Sequence, residues 1–222
     1  MPTPASANPR MHAAIAFLAA GLSLALLIAS VVPPPGDPAQ PLAWEAGHRS
    51  AYALVAALAL TWSVLSVPFA ITLGAMVEDA DASLVMAARF LTAGGILLLG
   101  TGVFTGFAAL LALGGAGPVP DPAVVAHHAK FWAQMRYLLT DPGLMAWGVG
   151  LLLYGGLLWR SGALPRSVVA VCLAGGVAGV LTLAVFETSI LALVQLVAFA
   201  GLGLGAGVAL LRKSRGAANA PD

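Results

Sequence analysis

The charged residues of this chain fall in short clusters, separated by uncharged runs of roughly 18 to 30 residues, long enough for a helix to cross a bilayer. Of all residues, 60% are hydrophobic and 9% are charged, whereas soluble domains carry about 25% charged residues. In hydrocarbon, backbone N–H and C=O groups must pair internally, and a helix achieves this within one segment. The runs show no period-two alternation of the kind found in barrel strands. The pattern therefore predicts an all-α, polytopic transmembrane helix bundle.

Six runs are long enough to be spans. The predicted spans are residues 11–32, 50–77, 83–113, 142–159, 167–186 and 188–211. They form one transmembrane domain over 11–211, between a cytoplasmic N-terminal segment (1–10) and a polar cytoplasmic tail (212–222). The first run also resembles a signal peptide, but it is longer than a typical signal core, so we expect it to remain as a span.

The segment before the fourth span is predicted to form an amphipathic helix on the outer face of the membrane, over residues 122–139. Asp121 would cap this helix and Pro122 would occupy its first position. A second cap-and-proline pair, Asp141 and Pro142, predicts that a separate helix, the fourth span, begins there. The predicted interfacial aromatic residues of the amphipathic helix are Phe131, Trp132 and Tyr137.

The distribution of basic residues predicts that both termini lie in the cytoplasm, because cytoplasmic loops carry an excess of Lys and Arg. The predicted inner side holds Arg10, Arg160, Arg166, Arg212, Lys213 and Arg215, with Arg89 at a helix end. The predicted outer side holds Arg49, Lys130 and Arg136. Arg89 lies near the start of its span, so its side chain is expected to reach out to the interface.

Glycines four residues apart recur in three of the predicted spans. The pairs are Gly102 with Gly106, Gly175 with Gly179, Gly201 with Gly205, and Gly203 with Gly207. Such spacing lets helix backbones approach closely in lipid. We interpret these glycines as packing positions that hold the third, fifth and sixth spans together. The alternative is a docking face for another subunit.

Few polar side chains lie deep within the predicted spans. Thr101 and Thr105 share one face of the third span, and Gln195 is the amide within the sixth. Ser63 and Ser66 lie in the second span. Hydroxyl groups can bond to their own helix backbone, and we expect Gln195 to form an interhelical hydrogen bond. The scarcity of carboxylates argues against a proton-coupled pump.

Three histidines, His48, His127 and His128, fall on the predicted outer side and are candidates for a metal or haem site. Adjacent His127 and His128 would point about 100° apart on a helix, which disfavours a shared ion. No acidic or cysteine partner stands beside them at ligand spacing. An interfacial role is therefore the favoured interpretation, and no cofactor is predicted.

Composition and motifs exclude several other classes. The net charge of +1 gives no basis for nucleic-acid binding. The single cysteine, Cys172, can form no intrachain disulfide and reads as a small packing residue. Phosphate-binding loops, zinc-protease histidine pairs and nucleophile elbows are missing from the sequence. A catalytic function is therefore not favoured.

The segment from Trp159 to Arg166 reads Trp-Arg-Ser-Gly-Ala-Leu-Pro-Arg, and an apolar helix with Gly175-Gly176 follows it. Over about residues 142–186 this resembles uncharacterised six-helix bacterial inner-membrane proteins of unknown function. The resemblance implies six spans and a bacterial inner membrane. It brings no activity, and no functional residue is carried over.

Three hypotheses for function follow. The first is a non-catalytic accessory or stabilising subunit of a larger membrane complex, whose partners are the bilayer and other membrane subunits. The second is a small transporter or channel for a neutral or lipophilic solute, which predicts a polar cavity around the two serines, the two threonines and Gln195 named above. The third is a metal- or haem-dependent membrane enzyme that uses the outer histidines.

Overall fold

The computed structural model describes residues 9–30, 41–77, 79–115, 122–182 and 188–218, and within them all regular structure is helical. The helices are α1 (Pro9–Ser30), α2 (Pro41–Ala75), α3 (Ala82–Gly115), α4 (Pro122–Ser161), α5 (Arg166–Leu181) and α6 (Thr188–Ala218). Five of these, all except α5, contain a segment long and apolar enough to cross a membrane. The prediction of a multi-pass helical membrane protein is thus confirmed by the length and composition of the helices. The helix α5 has 16 residues, and the predicted end of its span, residues 183–186, lies outside the described residues.

The helices close into a ring. Each helix packs on its neighbours in the chain, and α1 packs on α6. Short connections favour antiparallel neighbours in a bundle, and the α4–α5 connection spans only residues 162–165. Gly162 ends α4 with a positive φ of 64°, and its N–H donates to the Leu158 carbonyl at 3.1 Å. Glycine suits this left-handed position at a helix C-terminus.

The predicted break between an interfacial helix and the fourth span is absent. Residues 122–161 form one helix of 40 residues with Pro142 inside it. Proline removes one backbone hydrogen bond, but packing against a neighbouring helix offsets such a loss in membrane proteins. Gly143, the next residue, lies against the α3 backbone at Gly95 and Leu99. The apolar segment of α4 accordingly begins at Leu138, earlier than predicted.

Aromatic side chains fill the middle of the ring. Trp62 of α2, Trp147 of α4 and Phe199 of α6 come from alternating helices and are buried, with ring centroids 4.7 to 6.2 Å apart. Phe69 packs on Phe199 at 4.5 Å, and Phe17 of α1 packs on Phe69 at 4.6 Å. Because α2, α4 and α6 are not neighbours in the ring, these contacts cross its centre. We call these five residues the aromatic core.

Candidate functional site

A half-buried arginine packs between helices near one end of the ring. Arg89 lies seven residues into α3, about 10 Å from its start. Its side chain is half-buried and lies across Gly74 of α2. A Cβ atom at Gly74 would collide with Arg89 Nε and would lie 2.9 Å from its Cδ. The lack of a side chain at position 74 therefore makes room for the arginine.

The Arg89 side chain meets Tyr154 of α4. The Tyr154 hydroxyl donates to the Ala70 carbonyl of α2 at 2.9 Å, and the phenol interacts electrostatically with the Arg89 side chain. Tyr154 is fully buried. We call Arg89, Tyr154, Gly74 and the Ala70 carbonyl the Arg89–Tyr154 cluster. It connects α2, α3 and α4.

Several other polar contacts lie at the same end of the bundle. The carboxylate of Asp81 accepts from the Ser83 N–H at 2.8 Å, at the start of α3. The Lys213 ammonium donates to the Ala163 carbonyl at 3.1 Å. Arg166 stacks over the Trp159 ring at 5.6 Å. A pocket of about 480 Å³, lined in part by Asp79, Asp81 and Arg160, opens between the α2–α3 turn and the end of α4.

The sequence-based expectation, that the Arg89 side chain reaches out to the interface, assigned it no neighbours within the bundle. In the structure the half-buried Arg89 side chain lies across Gly74, which leaves space for it, and interacts electrostatically with Tyr154. Sequence reasoning missed Tyr154 and Gly74. One signal was available: a tyrosine within an apolar span needs a hydrogen-bond partner for its hydroxyl. Nothing in the sequence says where that partner lies.

The predicted packing glycines lie at helix–helix contacts. In the ring, α5 packs on α6, whereas α3 packs on α2 and α4. A Cβ at Gly102 would lie 2.7 Å from Thr140 Oγ1 of α4. Four of the glycines lie between α5 and α6: Gly175 meets Ala198, Gly179 meets Gln195, Gly201 meets Val171 and Gly205 meets Val168. Gly203 and Gly207 contact α1. The surroundings of Gly106 lie outside the described residues.

The predicted intramembrane polar residues are dispersed. Gln195 is fully buried and donates its Nε2 to the Leu144 carbonyl of α4 at 2.9 Å. Thr101 is exposed on α3, and the Thr105 hydroxyl donates to its carbonyl at 2.7 Å. Ser63 donates to the Ala59 carbonyl at 2.7 Å. Because Gln195 is buried between α4 and α6 while Thr101 faces outward, the structure does not bring these residues together around one cavity.

The predicted outer-face residues are only partly described. His127 and Phe131 are exposed on α4. The side chains of His48, His128, Trp132 and Tyr137 lie outside the described residues. Within the described part of the chain, no three His, Cys, Asp or Glu residues are grouped so that they could hold a metal ion.

The described residues define a class: a multi-pass helical membrane protein whose six described helices close into a ring, five of them long and apolar enough to span a membrane. The family model described as a domain of unknown function, DUF4386, matches residues 13–211. The chain belongs to this family. The match covers both halves of the chain, so it extends well beyond the segment that carried the resemblance in the sequence. No curated protein and no solved structure matches the chain.

We predict that Arg89 and Tyr154 are energetically coupled. Tyr154→Phe should lower the free energy of unfolding by about 1 to 3 kcal/mol, because the buried Ala70 carbonyl loses its hydrogen-bond donor and Arg89 loses a neighbouring dipole. In a double-mutant cycle with Arg89→Met, the effects should fail to add by about 1 kcal/mol or more. Reversible unfolding in mixed micelles would measure both quantities.

The matched control for this cycle pairs Tyr154→Phe with Arg160→Met. Arg160 is exposed near the end of the same helix, so these two changes should add within about 0.5 kcal/mol. Equal additivity in both cycles would show that the interaction between Arg89 and Tyr154 contributes nothing to stability.

Proposed function

We propose that this protein is a non-catalytic accessory or stabilising subunit of a larger membrane complex. The observation that carries the proposal is the aromatic core: the middle of the ring is occupied by buried rings contributed by α1, α2, α4 and α6. Interiors packed in this way are rigid. A rigid bundle with a filled centre offers its outer surface for function, as a supporting subunit requires.

The outer surface is suited to contact with lipid or with other membrane helices. Large apolar side chains such as Phe90, Met86 and Ile190 are exposed on it. The packing glycines named above, apart from Gly106, face neighbouring helices of the same chain. A partner subunit would therefore contact large apolar side chains rather than a glycine-lined groove.

The proposal includes six spans in a bacterial inner membrane, with both termini in the cytoplasm. The orientation is supported by the grouping of basic residues at one end of the ring. Arg160 and Arg166 flank the α4–α5 turn, and Lys213 bonds to the Ala163 carbonyl of that turn. Lys and Arg favour the cytoplasmic side of a membrane. The proposal also places residues 122–139 at the outer interface; all but the last two precede the apolar segment of α4, which begins at Leu138.

A second candidate function, a carrier for a small neutral solute, is favoured by unpartnered polar atoms in the core. Trp62 Nε1, Trp147 Nε1 and Ser66 Oγ are buried without a hydrogen-bond partner among the described residues. Buried polar groups normally find partners. Because these groups are neutral, they would suit a neutral guest better than an ion.

Native membranes provide the test. After extraction in polymer-bounded lipid discs, we expect the tagged chain to migrate with a partner at constant stoichiometry, and the partner's abundance to fall when this chain is deleted. In sealed right-side-out vesicles, external protease should leave the tail from Arg212 intact.

Two results would overturn the proposal. The first is a chain that migrates alone after this gentle extraction. The second is faster equilibration of a neutral solute, such as glycerol or urea, in vesicles containing the purified chain than in protein-free vesicles; this would favour the carrier instead. Cleavage of the tail by external protease would show that the C-terminus lies outside. The accessory role would then still be tested by the co-migration and solute-equilibration experiments.

A further inference from the structure

A groove opens at the end of the ring that holds the Arg89–Tyr154 cluster. It lies between α1, α2 and α6, beside the α4–α5 turn. Its volume is about 780 Å³, which is within the range of small-molecule sites. One wall is a stripe of α2 at helical spacing, Pro68, Ile71 and Ala75, which extends about 10 Å along the helix. All three residues are exposed and belong to a membrane-crossing segment. The groove therefore opens toward lipid.

The mouth of the groove is basic. His12 of α1 and Lys213 of α6 line it, and among the described residues that line the groove there is no aspartate or glutamate. The hydrogen bond from Lys213 to the Ala163 carbonyl, at 3.1 Å, fixes the ammonium beside the groove. A lysine ammonium has three N–H donors, so two remain for a ligand. Leu210, one turn earlier on α6, continues the apolar wall below the charge.

We propose that this groove binds an anionic phospholipid. The phosphate lies between Lys213 and His12, and an acyl chain follows the apolar wall formed by α2. Lipid is the solvent for the exposed wall, and basic pockets between transmembrane helices select anionic headgroups. The proposal depends on the groove alone and is independent of any accessory role.

The test compares two lipids with identical acyl chains, phosphatidylglycerol and phosphatidylcholine, added to the purified full-length protein in a mild detergent. Thermal unfolding reports binding, because a ligand that binds only the folded state raises the Tm. We expect phosphatidylglycerol to bind at least tenfold more tightly. Lys213→Gln should reduce that preference to less than threefold. Arg212→Gln, which removes the same charge at an adjacent exposed position outside the groove, should preserve it.

A second variant tests the apolar wall. Ala75→Trp places a large ring at an exposed position that lines the groove, so it should weaken binding of both lipids without requiring a change in the core. Inorganic phosphate at matched concentration should leave the Tm unchanged.

Three outcomes would overturn the proposal: equal affinity of the wild-type protein for the two lipids, an equal loss of preference in Lys213→Gln and Arg212→Gln, or stabilisation by inorganic phosphate as large as that by the lipid. The last outcome would identify a simple anion site. None of these measurements depends on whether a partner subunit exists.

Discussion

Replacing Gly95 with alanine is expected to lower the free energy of unfolding by about 3 kcal/mol, at the upper end of the usual cost of overpacking. Gly95 lies where α3 crosses α4. A Cβ atom there would overlap the backbone nitrogen of Trp147 and would lie 2.7 Å from the Gly143 carbonyl oxygen. Both atoms belong to the α4 backbone and cannot rotate away. The added methyl group therefore has to push the two helices apart.

The adjacent residue provides the control. A Cβ at Gly94 would meet nothing within 4 Å, so Gly94→Ala should be neutral or should stabilise the helix by up to about 1 kcal/mol. Both variants add one methyl group to the same helix. Unfolding of each in mixed micelles, followed by circular dichroism, gives the difference directly. Equal stability of the two variants would show that α3 and α4 do not approach as closely as this structure indicates.

Phe199→Ala is expected to destabilise the protein by roughly 2 to 4 kcal/mol, because it leaves a cavity in the aromatic core. Phe199 contacts Trp62, Phe69 and Trp147, and its side chain is 0% exposed. In a bilayer the loss is mainly one of van der Waals contact, since the unfolded reference state is also surrounded by apolar groups. We therefore expect a value toward the lower part of the range measured in soluble proteins.

Phe90→Ala is the matched substitution on the outside. Phe90 is 77% exposed on α3. In Phe90→Ala, lipid contacts the alanine in place of the phenyl ring, so the free energy of unfolding should change by less than about 0.5 kcal/mol. Tryptophan fluorescence should also shift in Phe199→Ala, because Trp62 and Trp147 lose a neighbouring ring, and should stay unchanged in Phe90→Ala. If both variants lost stability equally, the aromatic core would not be the packed centre of the ring.

The helical positions could be predicted because they depend on local hydrophobicity. The third span, predicted over 83–113, corresponds to α3 at Ala82–Gly115. The prediction at Pro142 was wrong because the cap-and-proline signal is also local. It contains no information about α3, whose packing against Gly143 helps hold α4 as one helix.

The amino-acid sequence is sufficient to identify a multi-pass helical membrane protein, because apolar segments of this length can satisfy their backbone groups in lipid only as helices. Which polar groups meet depends on how the helices pack in three dimensions. Tyr154 and Ala70 are 84 residues apart in the chain, and Arg89 reaches Tyr154 through the gap at Gly74. In a chain so rich in leucine, alanine and glycine, many helix pairings share one hydrophobic pattern. The arrangement is therefore selected by the fit of particular side chains into particular gaps, which local composition does not encode.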